Sequence, residues 1–273
     1  MAEAAIDPVD ALRALGESGD GPYDIARAAL MLAALDHVGL PLEPYEAHLA
    51  DVASSAKQEV RTLHAEDAAR GLSALMAGRF GYDGDRLTYS DSKNADLIAV
   101  IDRRRGMPVA LGILYIHAAR AAGFDAFGLV SPGHFLLRIE ARSTHVLIDP
   151  FNGGAAIERE RLGRPPLLGG TADRQLMEPV SDASVLLRLQ NNLKQRALAA
   201  GNRQRALEIA KRMVLIGPRK PDLWIDLARL EEAEGALGAA TRAYETCLAL
   251  DKPGTALHNE ATLGLLALKR RLH

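Results

Sequence analysis

Apolar residues recur at helical spacing through the first third of the chain. Between residues 23 and 38 they return every three to four positions, which predicts an amphipathic helix rather than a strand. The same pattern predicts a second helix after Pro44 and a third over residues 65–76. Residues 80–94 are rich in Gly, Asp and Ser and are expected to form an irregular connection, after which a further helix begins near Asn94. The N-terminal region is therefore predicted to be helical.

The middle of the chain changes in character. Residues 108–122 are strongly apolar and predict a helix closed by Gly123, a residue suited to the left-handed conformation at a helix end. Three short apolar stretches follow, at 124–130, 135–140 and 146–149, separated by turn-forming residues. We expect a small antiparallel sheet after the helix, so the predicted fold class is α+β and mainly helical.

The last third of the chain is helical again and repeats itself. A shift of 34 residues aligns Leu193 with Leu227, Gly201 with Gly235, Ala206 with Ala240, Ala210 with Tyr244 and Met213 with Cys247. This period, together with Trp224 and Pro253 in the second copy, resembles the tetratricopeptide repeat (TPR), in which paired helices pack through small residues. Residues 257–272 are expected to form a final capping helix.

A segment rich in Gly, Pro and Arg at 152–170 is expected to be a surface loop or a domain connection. We therefore predict two domains. Residues 1–170 would contain the helical N-terminal region and a helix-plus-sheet core at about 94–155. Residues 171–273 would contain the TPR-like hairpins and their capping helix, packed on the preceding domain because two repeats are too few to stand alone.

Composition narrows the functional classes. The 273 residues carry a net charge of -2, which argues against broad nucleic-acid binding. Cys247 is the only cysteine, so the chain has neither a disulfide of its own nor a cysteine zinc site. The N-terminus is acidic, and no apolar run approaches the roughly 20 residues that span a bilayer. We expect a cytoplasmic protein with no membrane partner.

The charge is unevenly distributed along the chain. From Arg188 onward, 15 Lys and Arg stand against 9 Asp and Glu, so this part carries +6 and the preceding part carries -8. Two interpretations remain open. In one, the two parts attract each other or merely differ in the charge of their solvated faces. In the other, the basic C-terminal part binds an acidic partner.

Three short motifs lie at the start of the apolar helix, at the start of one strand and at the end of the next. Cysteine-based acyl chemistry uses a thiolate, whose pKa a helix start lowers, a His that shuttles the proton and an acid that orients the His. Here Gly106-Met107-Pro108 opens the apolar helix, Pro132-Gly133-His134-Phe135 opens one strand, and Ile148-Asp149-Pro150 ends the next. The order and spacing resemble the transglutaminase-like superfamily, which is itself similar to the papain-like peptidases.

The resemblance implies that His134 and Asp149 remain from the catalytic set, while Pro108 occupies the position of the nucleophilic cysteine. Proline suits the first turn of a helix, where no backbone N–H is needed, but it has no nucleophile. Cys247 is expected to be buried between repeat helices and therefore unreactive. We expect no covalent catalysis. The chain has no metal-ligand spacing and no phosphate-binding loop, so we also expect no cofactor and no metal.

A closer resemblance covers the chain from about Tyr23 to its end. Residues 103–108, 131–135 and 149–154, followed by helical repeats, are similar to the bacterial SirB-type transglutaminase-like and TPR-repeat proteins. In that family an Arg-rich Arg-Gly-x-Pro motif replaces Gly-x-Cys. The resemblance therefore implies that the missing cysteine is a family trait.

The same motifs mark a candidate binding cleft. Its predicted lining residues are Arg103, Arg104, Arg105, Gly106, Met107, Gly133, His134, Phe151, Asn152 and Gly153. The guanidinium groups suit carboxylates or phosphates, which they contact in a two-pronged geometry.

A structural role is the alternative for each of these groups. The arginines would then pair with Asp91, Asp96 or Asp102. His134 and Asp149 would be a hydrogen-bonded pair that anchors the sheet, and the glycine-rich segment after them would be a plain turn.

Three functions remain open. In the first, which we favour, the chain is a non-catalytic, regulatory adaptor that binds a protein or peptide through the cleft and the basic repeats. A more specific version of this hypothesis is that the partner is acidic. In the second, a hydrolase-type enzyme uses His134 and Asp149 as a general base without a cysteine nucleophile. In the third, the protein's own side chains fill the cleft and the role is purely structural.

Overall fold

The computed structural model describes residues 7–131, 134–142, 144–157 and 178–272. These residues fall into two compact units. The first unit comprises the described residues of 21–189, and the second comprises those of 1–20 and 190–273. Residues 7–20 thus group with the C-terminal helices, whereas the sequence led us to place them in a domain over 1–170.

The described chain starts with helix α1 (Pro8–Ser18), which belongs to the second unit. The first unit contains helices α2 (Ile25–Ala34), α3 (Glu43–Glu59), α4 (Ala65–Ser73), α5 (Leu97–Arg103) and α6 (Pro108–Ala121). A π-helical turn (Ala74–Arg79) continues α4, and a 3-10 turn (Ser92–Ala95) precedes α5. The helical character predicted for this region is confirmed, with shifts at the helix ends.

Helix α6 lies within the core of the first unit. Pro108 is its first residue, and Gly123 adopts a left-handed φ of 89° just beyond its end. Every residue from Val109 to Ile116 is buried, and α6 contacts α2 and α3 as well as the sheet. This burial on all sides explains why the sequence of α6 lacks a polar face.

Two sheets complete the first unit. The short strands β1 (Asp83–Gly84) and β2 (Arg105–Gly106) pair in parallel. The main antiparallel sheet has the order β6-β5-β4-β3-β7, and its strands are β3 (Asp125–Ser131), β4 (His134–Ala141), β5 (Thr144–Asp149), β6 (Ala155–Ala156) and β7 (Pro179–Val180). The three predicted strands are confirmed as β3, β4 and β5, and β6 and β7 add two short edges.

The sheet meets α6 through alternate residues of β4. Phe135, Leu137 and Ile139 are buried, whereas the side chains between them are partly exposed. Two glycines leave room for the Phe135 ring. A Cβ added to Gly112 would lie 2.3 Å from that ring, and one added to Gly128 would lie 3.0 Å from it.

The second unit is built from helical hairpins. Helix α7 (Asp182–Ala199) begins in the first unit and ends in the second, and it is followed by α8 (Arg203–Ile216), α9 (Pro221–Ala233), α10 (Leu237–Leu250) and α11 (Ala256–Leu272). Helices α8 and α10 start 34 residues apart, and each follows a glycine of left-handed φ, Gly201 or Gly235. The TPR-like region and its final helix are thus confirmed.

Sequence patterns did not predict α1, which packs against α8 within the second unit. The contact is close because Gly16 has no side chain: a Cβ there would lie 1.9 Å from the carbonyl oxygen of Leu215. This contact is the physical reason why the N-terminal residues belong with the repeats.

Gly112→Ala is expected to destabilise the first unit by about 1–3 kcal/mol, because the new methyl group would overlap the Phe135 ring in a packed core. Urea unfolding followed by circular dichroism measures this loss. Gly78→Ala is the matched control, since a Cβ there meets nothing within 4 Å and the midpoint should stay or rise. Equal losses in both variants would contradict the packing argument.

Candidate functional site

The Arg-rich segment forms the approach to helix α6. Helix α5 ends at Arg103, strand β2 follows, and Met107 caps α6 with its N–H donating to the carbonyl of Asn94 at 2.9 Å. Gly106 and Met107 are buried, and Pro108 stands at the first helical position. The backbone of this segment is therefore fixed by α5, β2 and α6 together.

Arg103 forms an ion pair with a buried carboxylate. Its Nη2 donates to Oδ2 of Asp85 at 2.8 Å, and its Nη1 donates to Oδ1 of the fully buried Asn94 at 3.2 Å. Arg103 does pair with an acid, as one alternative held, but the partner is Asp85 rather than Asp91, Asp96 or Asp102. Asp85 was not identified from the sequence as a partner of Arg103, because it lies in a segment predicted only as an irregular connection.

Asp85 also fixes the loop that follows it. Its carboxylate accepts from the N–H groups of Leu87 and Thr88, at 3.1 and 2.8 Å, and from the Thr88 hydroxyl. The hydrogen bonds from Thr88, with those from Arg103 and Asn94, hold the pKa of Asp85 well below its usual range. We call residues 85–89 the contact loop.

The contact loop carries exposed apolar side chains. Leu87 is 97% exposed and Tyr89 is 49% exposed. A single exposed apolar side chain is common on a protein surface, but here two of them lie two residues apart on a loop whose base is hydrogen-bonded to buried groups. The loop therefore combines a fixed base with an accessible apolar tip.

Asp149 caps a tight turn. Its carboxylate accepts from the Phe151 N–H at 2.9 Å and from the side-chain amide of Asn152 at 2.5 Å. Gly153 and Gly154 take left-handed φ values of 64° and 74°. The glycine-rich segment is thus a turn, and in the described residues both oxygens of Asp149 contact that turn.

Arg86 joins the contact loop to this turn. Its Nη2 donates to the Phe151 carbonyl at 3.0 Å and to Oδ1 of Asn152 at 2.8 Å, and its guanidinium lies 5.0 Å from the centre of the Phe151 ring. The Tyr89 ring meets the same phenyl ring edge-on at 5.8 Å. These contacts place Phe151 and Asn152 beside the exposed loop.

Gly84 brings the two predicted halves of the site together. It pairs with Gly106 in the β1–β2 ladder, and a Cβ on it would lie 2.5 Å from the Phe151 carbonyl oxygen. The Arg-rich segment and the turn after Asp149 therefore meet on either side of residues 83–89. The sequence did not assign residues 83–89 to the site.

Two predicted residues lie at the limit of what the structure describes. His134 begins β4, with its backbone opposite Ser131, and the position of its side chain lies outside the described part. Gly133 also lies outside the described residues. The pairing of His134 with Asp149 stays a prediction.

The remaining two arginines differ in their surroundings. Arg104 is half-buried and contacts His48 and Tyr82. Arg105 is exposed, and its Nη1 donates to the carbonyls of Gly81 and Arg104 at 3.1 and 3.0 Å. The three consecutive arginines thus have three separate environments.

Within the described ranges, no group of three or more His, Cys, Asp or Glu side chains is placed to hold a metal ion. The search for membrane spans, over the same residues, finds no helix of sufficient length and hydropathy to cross a bilayer. Cys247 is fully buried in α10, and burial raises the pKa of its thiol. A buried neutral thiol is a poor nucleophile.

Two family models match the chain. Residues 43–191 match the transglutaminase-like superfamily, and residues 193–262 match the tetratricopeptide repeat. The first match contains the Arg-rich segment, the contact loop and the turn after Asp149. The second match contains helices α8, α9 and α10.

Several bacterial proteins of the UPF0162 group are similar to this chain. The Xylella fastidiosa (strain Temecula1) protein is 34% identical over 151 residues, which is 53% of this chain and 54% of the relative. The Pseudomonas aeruginosa protein is 33% identical over 159 residues, 56% and 57% of the two chains. The matched part thus spans about half the length of these relatives. Mouse F-box only protein 21 is 31% identical over 64 residues, 23% of this chain and 10% of that protein.

Asp85→Asn is expected to lower the free energy of unfolding by about 3 kcal/mol at pH 7, because hydrogen bonds to a charged group are lost in a buried site. The pKa of Asp85 is lower in the folded than in the unfolded chain, so this stabilisation is present above about pH 4 and is lost as the pH falls below it. Urea unfolding of wild type and variant across pH 3–7 measures the difference. A difference independent of pH would contradict the ion pair.

Cys247 is expected to resist a chromogenic thiol reagent in the native protein and to react fully in urea, since its sulfur is buried and its pKa raised. The time course of absorbance gives both rates. Rapid native reaction would show that an accessible thiolate exists.

Proposed function

We propose, on the premise that the chain belongs to the transglutaminase-like superfamily, that it is a non-catalytic member that binds a protein partner. Pro108 occupies the start of α6, where the resemblance places the nucleophilic cysteine. Cys247 is fully buried, which makes it a poor replacement for that nucleophile. The SirB-type affiliation, the regulatory role and the cytoplasmic location belong to the same proposal.

The contact loop is the observation that carries the proposal. Binding costs the entropy of ordering flexible groups, so a loop held in advance binds at lower cost than a mobile one. Asp85 holds this loop through two backbone N–H groups and the Thr88 hydroxyl. The exposed Leu87 and Tyr89 are large apolar groups that a partner surface can bury.

The turn after Asp149 extends the same surface. Asn152 is exposed, Phe151 is partly exposed, and Arg86 connects both to the contact loop. Aromatic and Arg side chains are enriched at the centres of protein interfaces. Phe151 and Asn152, which the sequence marked as binding residues, are thus proposed to flank the contact made by Leu87.

The TPR region is a second, separate observation that supports a binding role. Helical repeats commonly mediate protein interactions, and this part of the chain carries the +6 charge noted above. We propose an acidic partner for it. The hydrolase alternative gains no support from Asp149, because its described contacts are those of a turn cap.

Leu87→Ser is expected to weaken retention of the partner protein. The full chain, immobilised, is incubated with lysate of the organism that encodes it, and retained proteins are quantified by mass spectrometry. At least one protein should be retained by wild type and reduced about tenfold by Leu87→Ser, since one desolvated apolar anchor contributes about 1–3 kcal/mol.

Leu63→Ser is the matched control, because Leu63 is 56% exposed in the same unit but lies outside the contact loop. It should retain the same proteins as wild type. Identical profiles for all three proteins would refute the contact loop as the binding surface. A loss of self-association alone, seen by sedimentation, would identify the partner as a second copy of the chain.

A further inference from the structure

Arg104 has a backbone conformation that arginine seldom adopts. It ends helix α5 with φ 56° and ψ 25°, in the left-handed region, while its N–H donates to the carbonyl of Val100 at 2.9 Å. This conformation costs a residue with a side chain roughly 1 kcal/mol relative to Gly. Gly commonly ends helices in this way. An arginine at this position therefore indicates a role for its side chain.

The Arg104 side chain is held over an aromatic ring. Its guanidinium carbon lies 4.9 Å from the centre of the Tyr82 ring. Its Nη1 donates to Nε2 of His48 at 2.7 Å and also contacts the Tyr82 hydroxyl, which itself lies 2.7 Å from His48 Nε2. Tyr82 is fully buried, so the position of the guanidinium is set by groups that cannot move away.

The groups that contact Arg104 are neutral at pH 7. Arg104 donates to His48 Nε2, so that nitrogen must carry a lone pair. Burial and the nearby Arg104 charge lower the pKa of His48 to about 4. Burial raises the pKa of Tyr82 to about 12. The cluster of His48, Tyr82 and Arg104 therefore carries one positive charge. Asp51 acts electrostatically on His48 and Asp102 on Tyr82, but neither makes an ion pair with Arg104 in the described chain.

Arg104 has no carboxylate partner among the residues that the structure describes. Asp102 is the nearest acid along the chain, but its Oδ2 accepts from the Tyr45 hydroxyl at 3.1 Å. Hydrogen-bond partners are found in the described part for Nη1 alone, which leaves Nη2 and Nε as donors. A partly buried guanidinium favours an anion, because charges removed from water are normally paired.

From this geometry we infer that Arg104 binds a carboxylate of an acidic segment of the partner, through the edge of the guanidinium formed by Nη2 and Nε. This inference rests on the proposed binding function and gives its partner a chemical character. Two parallel N–H donors match the two oxygens of a carboxylate, and the stacking on Tyr82 orients that fork.

The neighbouring arginines are excluded from this role by their contacts. Arg103 is neutralised by the buried Asp85. Arg105 donates to two backbone carbonyls and is exposed to solvent, where a single ion pair contributes little. Of the three consecutive arginines, Arg104 alone combines partial burial with the absence of a carboxylate within ion-pair distance in the described chain.

The test uses the full chain and a hexaglutamate peptide, with hexaglutamine and inorganic phosphate as comparison ligands at constant ionic strength. Affinity is measured by isothermal titration calorimetry. Arg104→Gln is expected to weaken hexaglutamate binding about tenfold, the loss of one charged, two-pronged contact. Arg105→Gln, which removes the same charge one residue away, should change the affinity less than about twofold.

A measurement on the unaltered protein does not depend on the folding of a variant. NMR titration of the His48 ring should show its pKa rising from about 4 when hexaglutamate is bound, because a carboxylate beside Arg104 offsets the charge that depresses it. Hexaglutamine should leave this pKa unchanged. A saturable shift with the acidic peptide therefore supports the site directly.

Equal weakening by Arg104→Gln and Arg105→Gln, or an unchanged His48 pKa in bound protein, would overturn the inference. Tighter binding of phosphate than of hexaglutamate through Arg104 would reassign the ligand as a phosphate and overturn the carboxylate. The proposed function is tested independently of this inference. It is refuted if Leu87→Ser leaves partner capture intact. It is supported, and the Arg104 inference alone is refuted, if Leu87→Ser abolishes capture while Arg104→Gln does not.

Discussion

Burial of α6 on every side is the constraint on which the first unit depends. An apolar helix without a polar face must be covered all round, and α2, α3 and the sheet supply that cover. The fit is close enough that Gly112 and Gly128 are needed to admit the Phe135 ring. Because the helix cannot shift within this packing, its first residue, Pro108, and the segment before it are fixed in space.

The Asp85–Arg103 ion pair connects this fixed segment to the exposed contact loop. It joins the end of α5 to the contact loop, and Asn94 joins the same network to the start of α6 through Met107. A buried carboxylate such as that of Asp85 depends on further hydrogen bonds to offset the cost of removing its charge from water. Here Leu87 and Thr88 supply them, so the groups that satisfy the carboxylate also fix the loop.

The residue at the start of α6 and the groups at the surface both support the proposed binding function. Pro108 can begin a helix but cannot attack a carbonyl, and the described contacts of Asp149 are those of a turn cap. Exposed apolar groups, and a half-buried guanidinium that has no ion pair among the described residues, are instead features that a partner can satisfy. These features support the proposal that the chain is a non-catalytic member of the superfamily that uses its scaffold to display binding groups.

Most secondary-structure elements follow from local sequence patterns. Apolar periodicity and end signals such as Pro108 and Gly123 are local properties, so the helices after α1, three strands and the 34-residue repeat could be predicted from them. The placement of α1 with the repeats and the partner of Arg103 could not, because these depend on contacts between residues far apart in the chain. Three adjacent arginines look alike in a sequence, since they share a side chain and a neighbourhood. Only the tertiary structure gives one a buried acid, one an aromatic ring and a neutral histidine, and one solvent, and those surroundings decide what each charge can do.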